Sequence, residues 1–417
     1  LLQDLPLMAP LVQTFPDQGL PSVAEAVERA LEGAGLEDLL RPGDRVAITA
    51  GSRGIRNIEL ILQTVIRRVS DCGCRPCIIS AMGSHGGGSV PGQLGVLAGL
   101  GITPENMGVP VLASDRSTAL PPENGEIFYV NSLALEFDRI IVVNRIKPHT
   151  SFHGPVESGL QKMLAIGLGG PEGAARIHSL GVEALPGVIP RAAAAVLKNL
   201  PVALGLALLE DSREQTMAVE ALLPASITAR ETELLEEARR SMPRLPFDRL
   251  DVLVVDHIGK MYSGTGIDTN VVGRLKIYGL PEPASPQIKR IVVLGLGPGS
   301  GGNAYGIGLA DFTTRRLVDG IDHRAMYLNA LTSTFIMRAM IPMTCPDDRS
   351  AIDAAVKSLG LTDPRGIRMV RIKNTLQLDS MLASQPLLEE AAGSGLIQIA
   401  GRPGQMAFDR DNNLLPF

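Results

Sequence analysis

The chain has 417 residues, 45% hydrophobic and 20% charged, with a formal net charge of −5 at pH 7. That length exceeds one ordinary core and implies two domains, each able to bury a normal interior. A mildly acidic balance with no basic, aromatic-bearing stripe excludes a nucleic-acid partner, and strand-length apolar runs exclude a membrane span. No basic stretch precedes an apolar one at the N-terminus, so a cytoplasmic protein without a signal peptide is expected.

In chain order, Arg45–Ala50 predicts a strand. Residues 57–69 predict a helix, because Ile58, Ile61, Leu62, Val65 and Val69 recur at helical spacing. A strand follows at 76–81, a helix at 93–100 and a third strand at 138–144. Strands alternating with helices, and leaving through glycine-rich exits, predict an α/β protein. Two α/β domains with mostly parallel sheets are expected, with the active site in the cleft between them. Ligands collect at the carboxyl ends of such strands, so Arg53, His85 and His149, each just past one, should converge on a rim. Residues 230–240 read as a charged helix and 241–246 as a proline-bearing linker. Beyond it come strands at 250–256 and 288–296, a glycine loop at 295–302, helical stretches near 318–325, 330–340 and 350–360, and a late strand, Met369–Ile372. The domains are therefore expected at 1–244, cofactor-binding and catalytic, and at 247–401, substrate-side, with the tail 402–417 packing back on the first.

Cys72, Cys74 and Cys77 form Cys-x-Cys-x-x-Cys, but no second cysteine pair completes a tetrahedral metal site, so they are read as structural. The 295–302 loop lacks the lysine and hydroxyl of a P-loop, and Pro298 removes a backbone donor. Gly51–Ser52–Arg53–Gly54 is better placed for an anion, offering amides, a hydroxyl and a guanidinium. Taken singly, Arg53 serves equally well as a structural salt-bridge partner. His153 or His257, taken singly, is a satisfied loop histidine, and His323, near Asp319, Asp322 and Arg324, is a surface residue. The constellation of His85, His149, Lys162 and His178 is different. Imidazoles in glycine-rich loops have little to pack against and suit chemistry needing a base and a metal ligand near a closely approaching backbone. The chain reads as an enzyme.

At these residues it resembles the lactate racemase family, whose members carry a nickel-pincer nucleotide. Ser52–Arg53 match the Thr-Arg of that family's Asp-x-Thr-Arg-Pro, and Gly83–Ser84–His85 match its Gly-Thr-His. Pro148–His149 match its Pro-His, while Ser158–Gly159 with Lys162 match its Ser-Gly-Gly-Arg-Lys. His178, sixteen residues after Lys162, matches its nickel ligand. More weakly, Asp268–Thr269–Asn270 precedes Lys276 by the family's eight-residue spacing. The departures are Ala50 for the Asp, Gly54 for the Pro, Val272–Gly273 for a Tyr-Gln pair, and no tryptophan to wall a lactate pocket. Three additional residues between His149 and Lys162 make His153 a competitor for the second base.

The resemblance implies an isomerase that inverts C2 of a 2-hydroxy acid by proton-coupled hydride transfer to the nickel-pincer nucleotide. It implies that the cofactor is covalently joined to Lys162 and flanked by Ser52, Arg53, Gly83 and Ser84, with nickel on His178. His85 and His149, or His153, would be the bases, and Arg53 and Lys276, with Lys260 as alternate, would grip the substrate carboxylate. Expected partners are a small-molecule hydroxy acid and cofactor-synthesis proteins for loading, and a homo-oligomer is compatible. The missing bulk and the polar segments 262–266 and 301–305 point to 2-epimerisation of an aldonic sugar acid such as D-gluconate, ahead of malate or lactate racemisation. Two other classes stay open. A nicotinamide-dependent dehydrogenase is disfavoured because no strand leads into Gly-x-Gly-x-x-Gly; the other is a non-catalytic sugar-acid or nucleotide-binding protein.

Overall fold

Parallel strands buried on both faces organise the computed structural model, which describes residues 5–360 and 363–417. The chain forms two compact units, Pro16–Met242 and Pro243–Phe417, the latter joined by the described part of Leu1–Phe15. Strand β1 (Met8–Gln13) thus belongs to the second unit.

In the first unit, helix α1 (Val23–Gly33) is followed by β2 (Arg45–Ala50), α2 (Ile58–Asp71), β3 (Arg75–Ser80), α3 (Val90–Ala98) and β4 (Val111–Leu112). A two-stranded ribbon, β5 (Ser117–Ala119) with β6 (Tyr129–Asn131), precedes β7 (Arg139–Arg145). Then come the short α4 (Leu160–Lys162), α5 (Gly170–His178), α6 (Leu185–Asn199), β8 (Val202–Glu210), β9 (Thr216–Leu222) and α7 (Ile227–Ser241). The sheet order is β4-β3-β2-β7-β8-β9, parallel except for β9. Side chains alternate across it. Ile48, Ile78, Ile141 and Val143 meet Val27, Leu31, Leu62 and Val65 of α1 and α2. Ala47, Ile79, Ile140 and Val142 face the opposite core with Leu164, Val188, Ala192 and Leu235. Covering both faces is what parallel sheets require, and it leaves the exits of β2, β3, β7 and β8 on one rim.

The second unit builds the sheet β13-β12-β11-β10-β14-β15-β1-β16. Its strands are β10 (Arg249–Ile258), β11 (Gln287–Leu296), β12 (Phe312–Thr314), β13 (Met343–Cys345), β14 (Met369–Ile372), β15 (Ser380–Ser384) and β16 (Ile397–Ile399). The first five are parallel, and β15, β1 and β16 continue antiparallel. Helices α8 (Thr269–Val272), α9 (His323–Ser333) and α10 (Asp348–Lys357) lie between its strands in sequence.

Two expected boundaries change. The N-terminal segment does not open the first domain, because Met8–Val12 pair in register with Ser380–Ser384; residues 1–4 of the expected range lie outside the described residues. The tail 402–417 packs on the second unit. Gly404 bridges Met8, Leu414 N donates to Asp348 at 2.9 Å, and Arg371, held by Asp256, donates to Leu415 O at 3.0 Å under the Phe417 ring. A buried guanidinium needs that cover and those acceptors.

The stretches expected to be helical at 318–325 and 330–340 are broken at Asp322, whose side chain caps α9 by accepting from Ala325 N at 3.1 Å. The helix then ends at Thr334, in the left-handed conformation. Strand β8 went unread because a run buried on both faces lacks alternation. Among the described residues no single helix is long and apolar enough to cross a membrane.

Candidate active site

At the β2 and β3 exits of the first unit, the Ser52 hydroxyl hydrogen-bonds His85 Nδ1 and fixes the ring. Gly83 makes the turn possible. Its φ is +57°, its N–H donates to Gly167 O at 3.1 Å, and a Cβ there would lie 3.0 Å from both Ala174 and Ile166 O. Glu210 at the end of β8 anchors the adjoining loop by accepting from Arg56 N at 2.8 Å and pairing with Arg145. Among the described residues Arg53 has no ion-pair partner, so the structural salt-bridge reading is not realised. Part of its side chain reaches solvent, yet crowding of its guanidinium and the charge of Arg145 lower its pKa.

The β7 exit is a closed loop. Lys147 and Ser158 exchange backbone hydrogen bonds of 2.9 and 3.2 Å, and the intervening residues fold around Glu157. Its carboxylate accepts from His149 N at 2.5 Å, Gly154 N at 3.2 Å and His153 Nδ1 at 3.2 Å, and it pairs with Arg239 of α7. Burial raises the Glu157 pKa, but the bonds from His153, His149 N–H and Arg239 outweigh it and hold the carboxyl below its ordinary range. Glu157 was not singled out from sequence, although its four-residue spacing from His153 was visible there.

The loop's two histidines differ. His153 turns Nδ1 to Glu157, which leaves Nε2 to accept a proton. His149 Nδ1 instead accepts from Ser151 N at 3.1 Å, so the neutral ring carries its proton on Nε2. Phe152 links this loop to Lys162, lying 4.4 Å from the His149 ring and 5.9 Å from Lys162 Nζ.

Lys162 ends α4 and is followed by a π-helical turn, Met163–Gly167, of the kind that recurs at functional sites. Behind it stands Glu231 of α7, also missed from sequence. It accepts from Gln161 N at 2.9 Å, and a Cβ on Gly159 would come within 2.0 Å of its carboxylate, so a side chain there would displace it. Burial raises Glu231 to a pKa of about 7 against the bonds from Gln161 and Leu160.

Lys162 itself is brought down to about 7, first by burial, then by the charges of Arg53 and Lys147, with Glu157 opposing. Desolvation and the charge of Lys162 also lower the pKa of His178, at the end of α5, although the residue is exposed. Arg53 is therefore close enough to act on Lys162, and Lys162 on His178. Ser52 with His85, and His149 with His153, join the same rim through their own contacts.

The second unit separates its two expected lysines. Lys260 lies just past β10, its ammonium 5.1 Å from the Tyr305 ring. Lys276 instead lines a pocket with Arg290, Asp311, Phe312 and Met343, at the amino ends of the strands. The structure does not bring these two together. Val272 is buried and Gly273 closes against Pro286, so neither is a widened pocket wall. Thr265 donates to Ile267 O at 2.6 Å and Asn303 accepts from Tyr305 N at 3.1 Å, which commits both within their own loops.

Several solved structures match the chain. The lactate racemase apoprotein from Thermoanaerobacterium thermosaccharolyticum aligns over 90% of this chain and 96% of that one, at 14% sequence identity and a TM-score of 0.42. No family model and no curated protein matches the chain.

Proposed function

We propose that the chain is a racemase or epimerase that inverts C2 of a 2-hydroxy acid, using a nickel-pincer nucleotide joined to Lys162. The observation that carries this reading is that buried Lys162 feels Arg53 and is felt by His178 at one strand-exit rim. An amine that deprotonates near pH 7 is a nucleophile under physiological conditions, as forming an amide-type link requires. Arg53 and Lys147 supply positive charge suited to the anionic groups of a nucleotide. A neutral His178 keeps a lone pair for a metal. Among the described residues no three His, Cys, Asp or Glu side chains cluster as ligands, so nickel on His178 would take its other donors from soft atoms of the nucleotide.

When bound, the group supplies a hydride acceptor, which spares the protein from removing a Cα proton beside a carboxylate. His85, its ring fixed by Ser52, serves the hydroxyl proton of one substrate configuration. The Lys147–Ser158 loop would serve the other, where His153, its Nδ1 turned to Glu157, has Nε2 open to take the hydroxyl proton and return it in the reverse direction, with His149 the alternate. Arg53 is suited to the C1 carboxylate. Our first choice of substrate is an aldonic sugar acid such as D-gluconate, with malate and lactate behind it.

Protein made in a host that synthesises the cofactor should carry an added mass on Lys162 and bound nickel. It should convert a C2-deuterated substrate to its epimer with the label retained. Unmodified protein under loading conditions, or label lost to solvent, overturns the reading. The same neutral amine also suits a Schiff base with a carbonyl substrate. Trapping of a substrate on Lys162 by borohydride, in protein without an added mass, would favour that second reading.

A further inference from the structure

The second unit carries an apolar face that the proposed chemistry does not use. Tyr327, Leu328 and Leu331 share one side of α9, and Ile336, Met340, Ile341 and Met343 continue it through the turn packed against that helix. These seven residues are 40% to 69% exposed. Together they leave on the order of 700 Å² in one patch, more than a monomer usually shows to water. That is close to the roughly 800 Å² each partner contributes to a standard stable interface. From residue 325 to 343 the only charged side chain is Arg338, which is fully buried and donates to Leu275 O at 2.8 Å. His323 and Arg324 mark the rim.

We infer that this face docks a second copy of the chain about a two-fold axis. An isologous contact sets a patch against itself, so like charges would meet across it wherever the patch carried any. Its exposed positions from 325 to 343 carry none, with Lys276, Arg290 and Asp311 bordering only the Met340–Met343 end, whereas a charged partner would leave its own groups desolvated and unpaired. Strand pairing is not the means. β13 is the sheet's edge, but Pro342 and Pro346 bracket it and cannot donate to a partner strand. Side-chain packing of α9 and its turn against their copies is what remains.

Sedimentation equilibrium of the full chain across about 1–100 μM should give a dimer. Leu331→Glu, which sets two carboxylates together at the axis, should raise the dissociation constant at least about 100-fold. Met343→Lys, at the far end of the patch, should weaken it in the same direction. Both sites are exposed, so circular dichroism and the melting temperature should stay as in the parent chain. A parent chain monomeric at about 100 μM would assign the face to some other occupant and overturn the inference. A dimer indifferent to both substitutions would do the same, by placing the interface elsewhere.

Discussion

Both units end parallel strands in glycine-bearing loops, yet their rims differ in what their polar groups are left to do. In the second unit Thr265 and Asn303 are satisfied within their own loops, and the Tyr305 hydroxyl meets Ser333 at 2.6 Å. In the first, Arg53 lacks an ion-pair partner among the described residues, and burial, then the charges of Arg53 and Lys147, bring Lys162 down to a pKa of about 7. Cations pressed together without enough acid are unstable by themselves and are relieved by an anion or an acylating group. Polar content alone would have ranked the two rims equal; unmet polar demand separates them.

The harshest way to break that contrast is Lys162→Met. It should abolish both the added mass and turnover, while Thr265→Val should leave turnover intact and cost about 1 kcal/mol of stability through one lost hydrogen bond. An adduct on any other residue of the Lys162→Met protein would show that the amine is not the anchor. Next in size, His153→Ala and His149→Ala should each slow turnover about 10²- to 10⁴-fold. Each loss should be the same from either substrate configuration, because a catalyst leaves the equilibrium constant unchanged, and unchanged turnover in both variants would refute the loop's role. His178→Ala should lose nickel, read by metal analysis, with the fold kept.

Smaller effects sharpen the electrostatics. Reductive methylation with ¹³C-formaldehyde should reveal one lysine titrating near pH 7. Because Arg53 disfavours the charged amine, Arg53→Met should raise that midpoint; an unmoved midpoint would mean the two groups are not coupled. Glu231 offers the mildest test. Its folded pKa of about 7 exceeds the usual carboxyl value, so the folded state holds its proton more tightly than the unfolded chain. The resulting penalty is absent below about pH 4.5, grows as pH rises and is complete above about 7. Glu231→Gln should therefore melt near the parent temperature at pH 4.5 and several degrees higher at pH 8, up to about 3 kcal/mol. A difference independent of pH would mean that the carboxyl is not desolvated.

The sequence revealed the groups that chemistry singles out by type: histidines in glycine-rich loops, and the Ser-Gly-x-x-Lys element. The helices and strands with clear periodicity, such as Arg45–Ala50 and Ile58–Asp71, were legible within one or two residues. Long-range contacts were not. Glu157 gains its role from Arg239, 82 residues away, and Glu231 from Gln161, 70 residues away. The same limit explains the N-terminal strand, since Met8–Gln13 shows no local sign that it will pair with Ser380–Ser384. Lys276 was misjudged because a fixed spacing from Asp268 says nothing about which end of the sheet a loop will reach.

The turn at Met163–Gly167 makes the number of residues matter as much as their identity. On an unbroken α-helix, sixteen residues would carry His178 about 24 Å from Lys162 and turn it about 160° away. The wide turn, with Gly170 at φ +65° after it, breaks that line and lets the two groups feel each other. Deleting one residue between 163 and 167 would remove the wide turn and restore regular α winding there. A descendant with such a deletion could retain every lysine and histidine named here and still lose the turn that lets Lys162 and His178 feel each other.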